Sequence, residues 1–232
     1  MQAIDTADGS RTLYSERYAQ TFHSRHGAAR ESRHVFLDAT GSAAALRAGQ
    51  PLRVLEVGFG SGLNALLTAD AARCGGAALH YCALERELLP GACLRPLGHA
   101  ALLHHAELAE SLYSALDATL DAGRRPGGAR LQIELAAGID VEILCGDARD
   151  ARLAAARHDA IYLDAFSPDS NPELWGEDFL AGLFATLRPG GRLATYSAKG
   201  RVRRALLAVG FTAQRLPGPP GKREMLLATR PG

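Results

Sequence analysis

LEVGFGSGLN, residues 55–64, joins the end of an apolar strand to a glycine-rich turn and the first residues of a helix. The strand is PLRVLEVG (51–58), and the helix, SGLNALLTADAARC (61–74), carries an apolar face at Leu63, Leu66, Leu67 and Ala71. Gly58 and Gly60 let the backbone turn sharply and let a ligand approach without meeting a side chain. Amides at such a helix start offer donors and a positive dipole to a negatively charged group. The spacing is Gly-x-Gly-x-Gly, with Leu63 where a dinucleotide fingerprint has its third glycine. A nicotinamide oxidoreductase is disfavoured on that ground.

On either side of this unit strands and helices alternate. VFLDATGSAAALRAG reads as a short helix ended by glycine, ALHYCALE (78–85) as a second strand, and LLPGACLRPLGH with AALLHHAELAESLYSALDATLDAG as helical material. The glycine-rich segment 123–128 reads as a surface loop. ARLQIEL and IDVEILCGD, separated by AAG, form a predicted hairpin. HDAIYLDAF (158–166) is a further strand, NPELWGEDFLAGLFATL (171–187) one helix closed by Pro189-Gly190-Gly191, and RLATYSAK another strand. GRVRRALLAVG reads as a helix, and FTAQRL with EMLLATR (224–230) as an antiparallel pair. This alternation predicts an α/β fold with a mostly parallel sheet covered on both faces. Residues 1–34 mix polar and aromatic residues with five arginines and show no clean period. One domain is expected over 1–232, with 1–50 an N-terminal extension and 51–232 a Rossmann-like core carrying a helical and hairpin insertion.

Hydrophobic content of 47% with 22% charged residues is ordinary for a soluble globular chain of 232 residues. No apolar run approaches membrane-spanning length, and MQAIDTADGSRT has neither the basic start nor the apolar stretch of a signal peptide. A cytoplasmic protein with no membrane partner is expected. Cys74, Cys82, Cys93 and Cys145 form no CxxC pair, and no histidine pair lies near them at metal-ligand spacing. Buried free thiols, with no metal and no disulfide framework, are the expectation. From Arg188 onward the chain holds ten basic residues and one acid, against 16 basic and 24 acidic before it. A positive field so localised suits either a polyanionic partner or a solvated helix face.

The glycine turn has an acid, Glu56, two positions before its first glycine. That pattern resembles the first motif of S-adenosylmethionine methyltransferases, in which the acid serves the ammonium of the methionine end. Further acids stand at strand ends, where ligands of open α/β sheets bind. Glu85 lies 23 residues beyond Gly62 and is expected to accept from the ribose hydroxyls, while Asp147 in CGDARD is expected to accept from the adenine amino group. Glu56, Gly58, Phe59, Gly60, Gly62, Asn64, Glu85, Asp147 and Ala148 make up the expected cofactor site.

Asp164, in DAIYLDAFSPDSNPELW (159–175), is the fourth such acid and falls beside the reactive methyl in this topology. Methyl transfer is an in-line displacement, so an enzyme mainly aligns the nucleophile and keeps its lone pair free. For a primary amine, a carboxylate can orient the lone pair and take the released proton. Phe166, Pro168 and Trp175 offer apolar surfaces against which a planar ring could stack.

YSERY (14–18), ESRHVFL (31–37), EVGFGSGLN (56–64), LDAFSPDSNPELW (163–175), SAKGRVRRALLAVGF (197–211) and GKREM (221–225) together resemble the tRNA wobble-uridine methyltransferases of the MnmC/MnmD type. The resemblance covers nearly the whole chain. It implies transfer of a methyl from S-adenosylmethionine to the exocyclic amine of 5-aminomethyl-2-thiouridine, with Asp164 on the acid assigned to the amine. It also implies tRNA, through its anticodon loop, as partner. Arg203, Arg204, Lys222 and Arg223 are then expected at phosphates, with Tyr14 and Arg33 closing over cofactor or base.

Two departures matter. Bifunctional members continue into a flavin-dependent oxidase, whereas this sequence reaches Gly232, so the aminomethyl form is the expected substrate and a separate oxidase its source. Ala165 also replaces a glycine found in some relatives. Two rivals stay open: an aminopropyl transferase using decarboxylated S-adenosylmethionine, and a non-catalytic RNA-binding module with no use for Asp164.

Overall fold

The computed structural model describes residues 2–121 and 128–232. All but Gly128 of the loop expected at 123–128 therefore lie outside the described residues. The strands are β1 (Gln2–Asp5), β2 (Arg11–Ser15), β3 (Gln20–Thr21), β4 (Leu52–Val57), β5 (Leu79–Glu85), β6 (Arg130–Ala136), β7 (Ile139–Cys145), β8 (His158–Leu163), β9 (Leu187–Thr195), β10 (Thr212–Pro217) and β11 (Glu224–Thr229). The α-helices are α1 (Ala28–Glu31), α2 (Ser42–Arg47), α3 (Leu63–Gly75), α4 (Gly91–Leu94), α5 (Glu107–Asp121), α6 (Glu177–Thr186) and α7 (Gly200–Ala208). A π-helical stretch, Ser32–Asp38, continues α1.

Eight strands form the main sheet in the order β10-β11-β9-β8-β4-β5-β7-β6. Pairings from β9 across to β7 are parallel, while β6, β10 and β11 run antiparallel to their neighbours. The fold is α/β and mostly parallel. β4 is bordered by β5 on one side and β8 on the other, so the chain leaves it in opposite directions. A crevice opens at such a switch point, beyond the carboxyl ends of the strands.

The two-residue strand period sorts the side chains onto two cores. On one face Val54, Tyr81 and Tyr162 pack with α3, with Leu13 of β2 and with Phe36. On the other, Leu55, Val57, Ile161 and Leu163 meet Leu180 and Leu183 of α6 and Val202 of α7. Glu56, between Leu55 and Val57, is thereby turned into the first core and fully buried. Every residue of α3 from Leu63 to Ala72 is buried, more than the one apolar face expected. Enclosed by sheet, α2 and α5, those ten residues have no wet side, and only the last turn of the helix reaches solvent.

Three expectations need correction. Residues 1–34 hold a three-stranded antiparallel sheet, β1-β2-β3, that periodicity did not disclose. NPELWGEDFLAGLFATL is a 3₁₀ turn, Pro172–Leu174, followed by a separate α6, because Gly176 at extended φ and ψ starts the helix afresh. LRPGG lies inside β9 rather than before it: Leu187 pairs with His158, and the register shifts before Arg192 pairs with Ala160. Such an irregularity absorbs the Pro-Gly-Gly that would otherwise interrupt a ladder.

Candidate functional site

A cavity of about 440 Å³ opens at the switch point, within the size range of small-molecule sites. Its floor is the β4–α3 turn and its roof is the N-terminal extension. Gly58, Gly60 and Gly62 all have positive φ, of 94°, 55° and 75°. At Gly58 an added Cβ would lie 2.8 Å from the Asp164 carbonyl oxygen, and at Gly60 it would lie 3.0 Å from the Phe22 ring. The turn is therefore pressed between β8 and the roof, and only hydrogen fits there.

Asp164 directly follows β8, and its amide donates to the Val57 carbonyl at 3.0 Å, which fixes the residue beside the glycine turn. Its carboxylate borders the cavity, with a side chain only 9% exposed. Asn64, in the first turn of α3, donates from one Nδ2 to Glu56 Oε1 at 2.7 Å and to Asp164 Oδ2 at 2.8 Å. One buried amide thus ties the two acids together. Glu56 Oε2 is buried without a hydrogen-bond partner. Burial pushes the Glu56 carboxyl up to about 8 and also raises that of Asp164, with the neighbouring Glu56 charge adding to the latter.

Glu85 borders the cavity from the end of β5. It accepts the amides of Gly60 at 2.9 Å and Glu87 at 2.7 Å, and burial raises its pKa too. Three acids held above their ordinary range by desolvation form a site that favours a cation. Positive-φ glycines, whose bed an added Cβ would fill, and the carboxylates of Glu85 and Asp164 at the cavity together fit a nucleoside bearing positive charge.

The roof supplies the aromatic wall. Tyr18 stacks on Phe166 with centroids 4.1 Å apart, and Phe22 meets the same ring edge-on at 5.4 Å. Gln20 Nε2 donates to Ser167 Oγ at 2.8 Å and Ser170 Oγ at 2.6 Å, clipping β3 to the loop after Asp164. His23 lies within the same wall, its Nε2 3.9 Å from Asp164 Oδ2 and its Nδ1 unpartnered. Burial pushes its pKa down to about 4, so it is neutral at pH 7. Lys222 Nζ pairs with Glu31 Oε1 at 2.6 Å and lies 3.9 Å from the centroid of the Tyr196 ring. The Tyr196 hydroxyl donates to the Ala165 carbonyl at 2.8 Å.

Of the residues expected from sequence, the structure gathers Tyr14, Gly58, Phe59, Gly60, Glu85, Asp147, Ala148, Asp164, Phe166 and Lys222 at the cavity wall. Glu56 and Asn64 stand behind it, and Gly62 caps α3, where its Cβ would crowd Leu112 and Phe59 at 3.0 Å. Asp147 is engaged elsewhere: Arg149 makes two side-chain bonds to it, of 3.0 and 2.7 Å, and holds its pKa down to about 2.

Trp175 is turned into the second core, its Nε1 donating to the Phe166 carbonyl at 3.0 Å, so it braces the wall from behind instead of presenting a stacking face. Pro168 is buried and also off the wall. Arg33 donates to the Leu102 carbonyl at 2.8 Å, tying the π-helical stretch to the insertion rather than closing over the cavity. Arg203, Arg204 and Arg223 are in no ion pair among the described residues, whereas Arg201 and Lys199 are both drawn to Asp169. Cys82 and Cys145 are buried as expected, but Cys74 and Cys93 are exposed.

Tyr18, Phe22, His23, Glu31 and Tyr196 were not singled out from sequence. The available signal was the crowding of aromatic and ionisable residues in 14–34 without apolar period, which suits a segment covering a polar cavity.

The chain is similar to known proteins in sequence and in fold. A family model described as S-adenosyl-L-methionine-dependent methyltransferase matches residues 115–231. The chain is 39% identical over 223 residues to the tRNA 5-methylaminomethyl-2-thiouridine biosynthesis bifunctional protein MnmC of Cupriavidus necator, covering 93% of this chain and 32% of that protein. It is 37% identical over 226 residues to MnmC of Pseudomonas aeruginosa, covering 94% of this chain and 33% of that one. The chain thus spans about a third of the length of the curated relatives it matches. Among solved structures, MnmC2 from Aquifex aeolicus is similar over 100% of this chain and 72% of that one, with a TM-score of 0.74 and 27% identity. No helix among the described residues is long and apolar enough to cross a membrane.

Proposed function

The chain belongs to the S-adenosyl-L-methionine-dependent methyltransferase family, and from that premise we propose that it methylates the exocyclic amine of 5-aminomethyl-2-thiouridine at the wobble position of tRNA. The product is 5-methylaminomethyl-2-thiouridine. One observation carries the reading: Asp164, a nearly buried carboxylate, stands between the glycine turn and the Tyr18–Phe166 stack, at the meeting point of a cofactor bed and a wall suited to a planar base. The family favours methyl transfer over aminopropyl transfer from a decarboxylated donor.

When bound, the cofactor supplies a methyl on a sulfonium sulfur, which leaves with the bonding electron pair. Gly58, Phe59 and Gly60 would bed it and Glu85 would accept from its hydroxyls, while Glu56, fully buried behind the wall, would hold Asn64 in place beneath the turn. Asp164 meets the amine. Asn64 occupies its Oδ2, leaving Oδ1 to accept from an amine N–H and aim the nitrogen lone pair. The amine arrives largely as its ammonium, so it must give up one proton to free that lone pair before it attacks, and Asp164 receives it. Burial raises the proton affinity of that carboxylate, bringing it nearer that of an amine and improving it as a base. Tyr18, Phe22 and Phe166 exclude water and stack the uracil ring.

The tRNA would lie on the basic C-terminal face, with Arg203, Arg204 and Arg223 at phosphates and the wobble base turned out into the cavity. Lys222 has another task, because its ammonium is held by Glu31 inside the wall. An oxidase acting beforehand would uncover the amine, and the reaction would run in the cytoplasm, where tRNA is. Incubation with S-adenosylmethionine and tRNA from a strain lacking the final methylation tests the assignment. Nucleoside mass should show one added methyl on the wobble uridine; unchanged aminomethyl nucleoside would refute it. An Arg203→Ala, Arg204→Ala variant should bind tRNA more weakly with a shallower salt dependence, the slope falling by roughly one unit per lost phosphate contact.

A further inference from the structure

A second cluster of chemically capable side chains lies on the insertion side of α3, and none of its members borders the cavity. Asp70 and Cys74 are one helical turn apart on α3, the i, i+4 spacing that places two ligands on one helix face. Facing them is the segment after the 3₁₀ turn His99–Leu102, which carries His104 and His105. The two pairs stand some thirty residues apart and meet only in the fold, so the sequence shows no ligand spacing.

The buried Asp70 carboxylate builds the meeting point. It accepts the backbone amide of His105 on Oδ1 at 2.9 Å and that of His104 on Oδ2 at 3.2 Å. Both imidazoles are thus anchored at their backbones beside α3. His105 Nδ1 is 3.2 Å from Asp70 Oδ1 and 3.8 Å from Cys74 Sγ. Ligand atoms of Asp70, Cys74 and His104 all lie within 4.8 Å of one another. Around a tetrahedral zinc with ordinary bond lengths, neighbouring ligand atoms are about 3.3–3.6 Å apart. Asp70, Cys74 and His104 would have to close by up to about 1 Å to reach that geometry, and His105 Nδ1, beside Asp70 and Cys74, would turn in as the fourth ligand. Each Asp70 oxygen keeps a second lone pair after accepting its amide.

We propose that Asp70, Cys74, His104 and His105 form a site for a zinc-class divalent cation that staples the C-terminal half of α3 to the insertion. The donor set of one thiolate, two imidazoles and one carboxylate suits a borderline-soft ion and disfavours magnesium or calcium, which take oxygen ligands. On binding, Cys74 Sγ gives its proton to solvent as the metal–sulfur bond forms, and the two imidazoles bind through neutral nitrogens. Burial and the Asp70 charge hold the Cys74 thiol above its ordinary pKa, a bias that a cation between them reverses. Because none of the four residues borders the cavity, the staple acts on stability and not on the chemistry at Asp164.

The test is a cobalt(II) titration of the reduced, tag-free protein, followed by zinc competition. One cobalt per chain should bind, with a sulfur-to-cobalt charge-transfer absorption that zinc abolishes, and zinc should raise the melting temperature reversibly to chelator. Cys74→Ser should lose the band, and His104→Ala should weaken zinc by at least the roughly tenfold that even an outer-shell change costs. Both side chains lie at the surface, so both variants should fold. Cys93→Ser, an exposed thiol elsewhere, should leave the band intact. Absence of the band in the unmodified protein, its survival in Cys74→Ser, or its loss in Cys93→Ser would overturn the assignment.

Discussion

The floor and the roof of the cavity are built by opposite means. The floor is a local object: β4, three glycines and the first turn of α3 are consecutive, so one short segment supplies its whole backbone. The roof is assembled from distance. Gln20 reaches Ser170 across 150 residues, and Lys222 reaches Glu31 across 191. A floor of this kind is preorganised by backbone geometry, whereas the roof depends on a few side-chain contacts that can be made or lost together. The difference suits a site that holds its cofactor on rigid backbone and admits a bulky base from the other side.

The largest expected effect tests whether the floor's acid is the chemical one. Asp164→Asn keeps size and a polar partner for Asn64 but removes the proton acceptor; single-turnover methyl transfer should fall about 10²–10⁴-fold. Binding of S-adenosylhomocysteine, followed by calorimetry, should change little. Full activity would show that the acid has no part in the chemistry.

Asn64→Leu probes the tie behind that acid and should lower kcat by about 10–100-fold. The lost hydrogen bond favours the carboxylate form of Asp164, so the acid limb of the pH–rate profile should also move to higher pH. A smaller kcat with an unmoved limb would assign Asn64 a packing role alone.

On the roof, Lys222→Met leaves the buried Glu31 carboxylate without its cation. Denaturant unfolding should show a loss of about 1–3 kcal/mol, less than for a fully buried pair because Lys222 is partly exposed. Glu31→Gln added to it should restore part of that loss. An additive double variant would mean that the pair does not hold the roof together.

A pH-dependent effect returns to the floor. Glu56 has its folded pKa raised from 4.5 to about 8, so the stability it contributes is fully present below pH 4.5 and is lost as pH rises through about 8. The limiting slope is about 1.4 kcal/mol per pH unit. In unliganded protein, Glu56→Gln should flatten unfolding free energy against pH across that window, and an unchanged slope would contradict the burial account.

The contrast also explains what could be read in the sequence. Strand, turn and helix at 51–74 follow from local pattern, and so does the placement of Glu85 and Asp164 at strand ends. Phe166 lines the cavity, but Trp175, nine residues on, turns inward, since an aromatic in a loop gives no sign of which face it will pack on. Pro172 and Gly176 mark breaks inside what hydrophobic spacing presents as one helix. His23 and Glu31 carry no local sign of their part in the site, because their partners are Asp164 and Lys222 and no local pattern joins them.

A crystal structure with S-adenosylhomocysteine and an aminomethyl-uridine nucleotide bound together bears most directly on the whole account. The thioether sulfur should lie over the glycine turn, and the amine nitrogen should lie within hydrogen-bond reach of Asp164, between that sulfur and the Tyr18–Phe166 stack. An amine seated away from Asp164, or an Asp164 side chain rotated out of the cavity with both ligands in place, would contradict it.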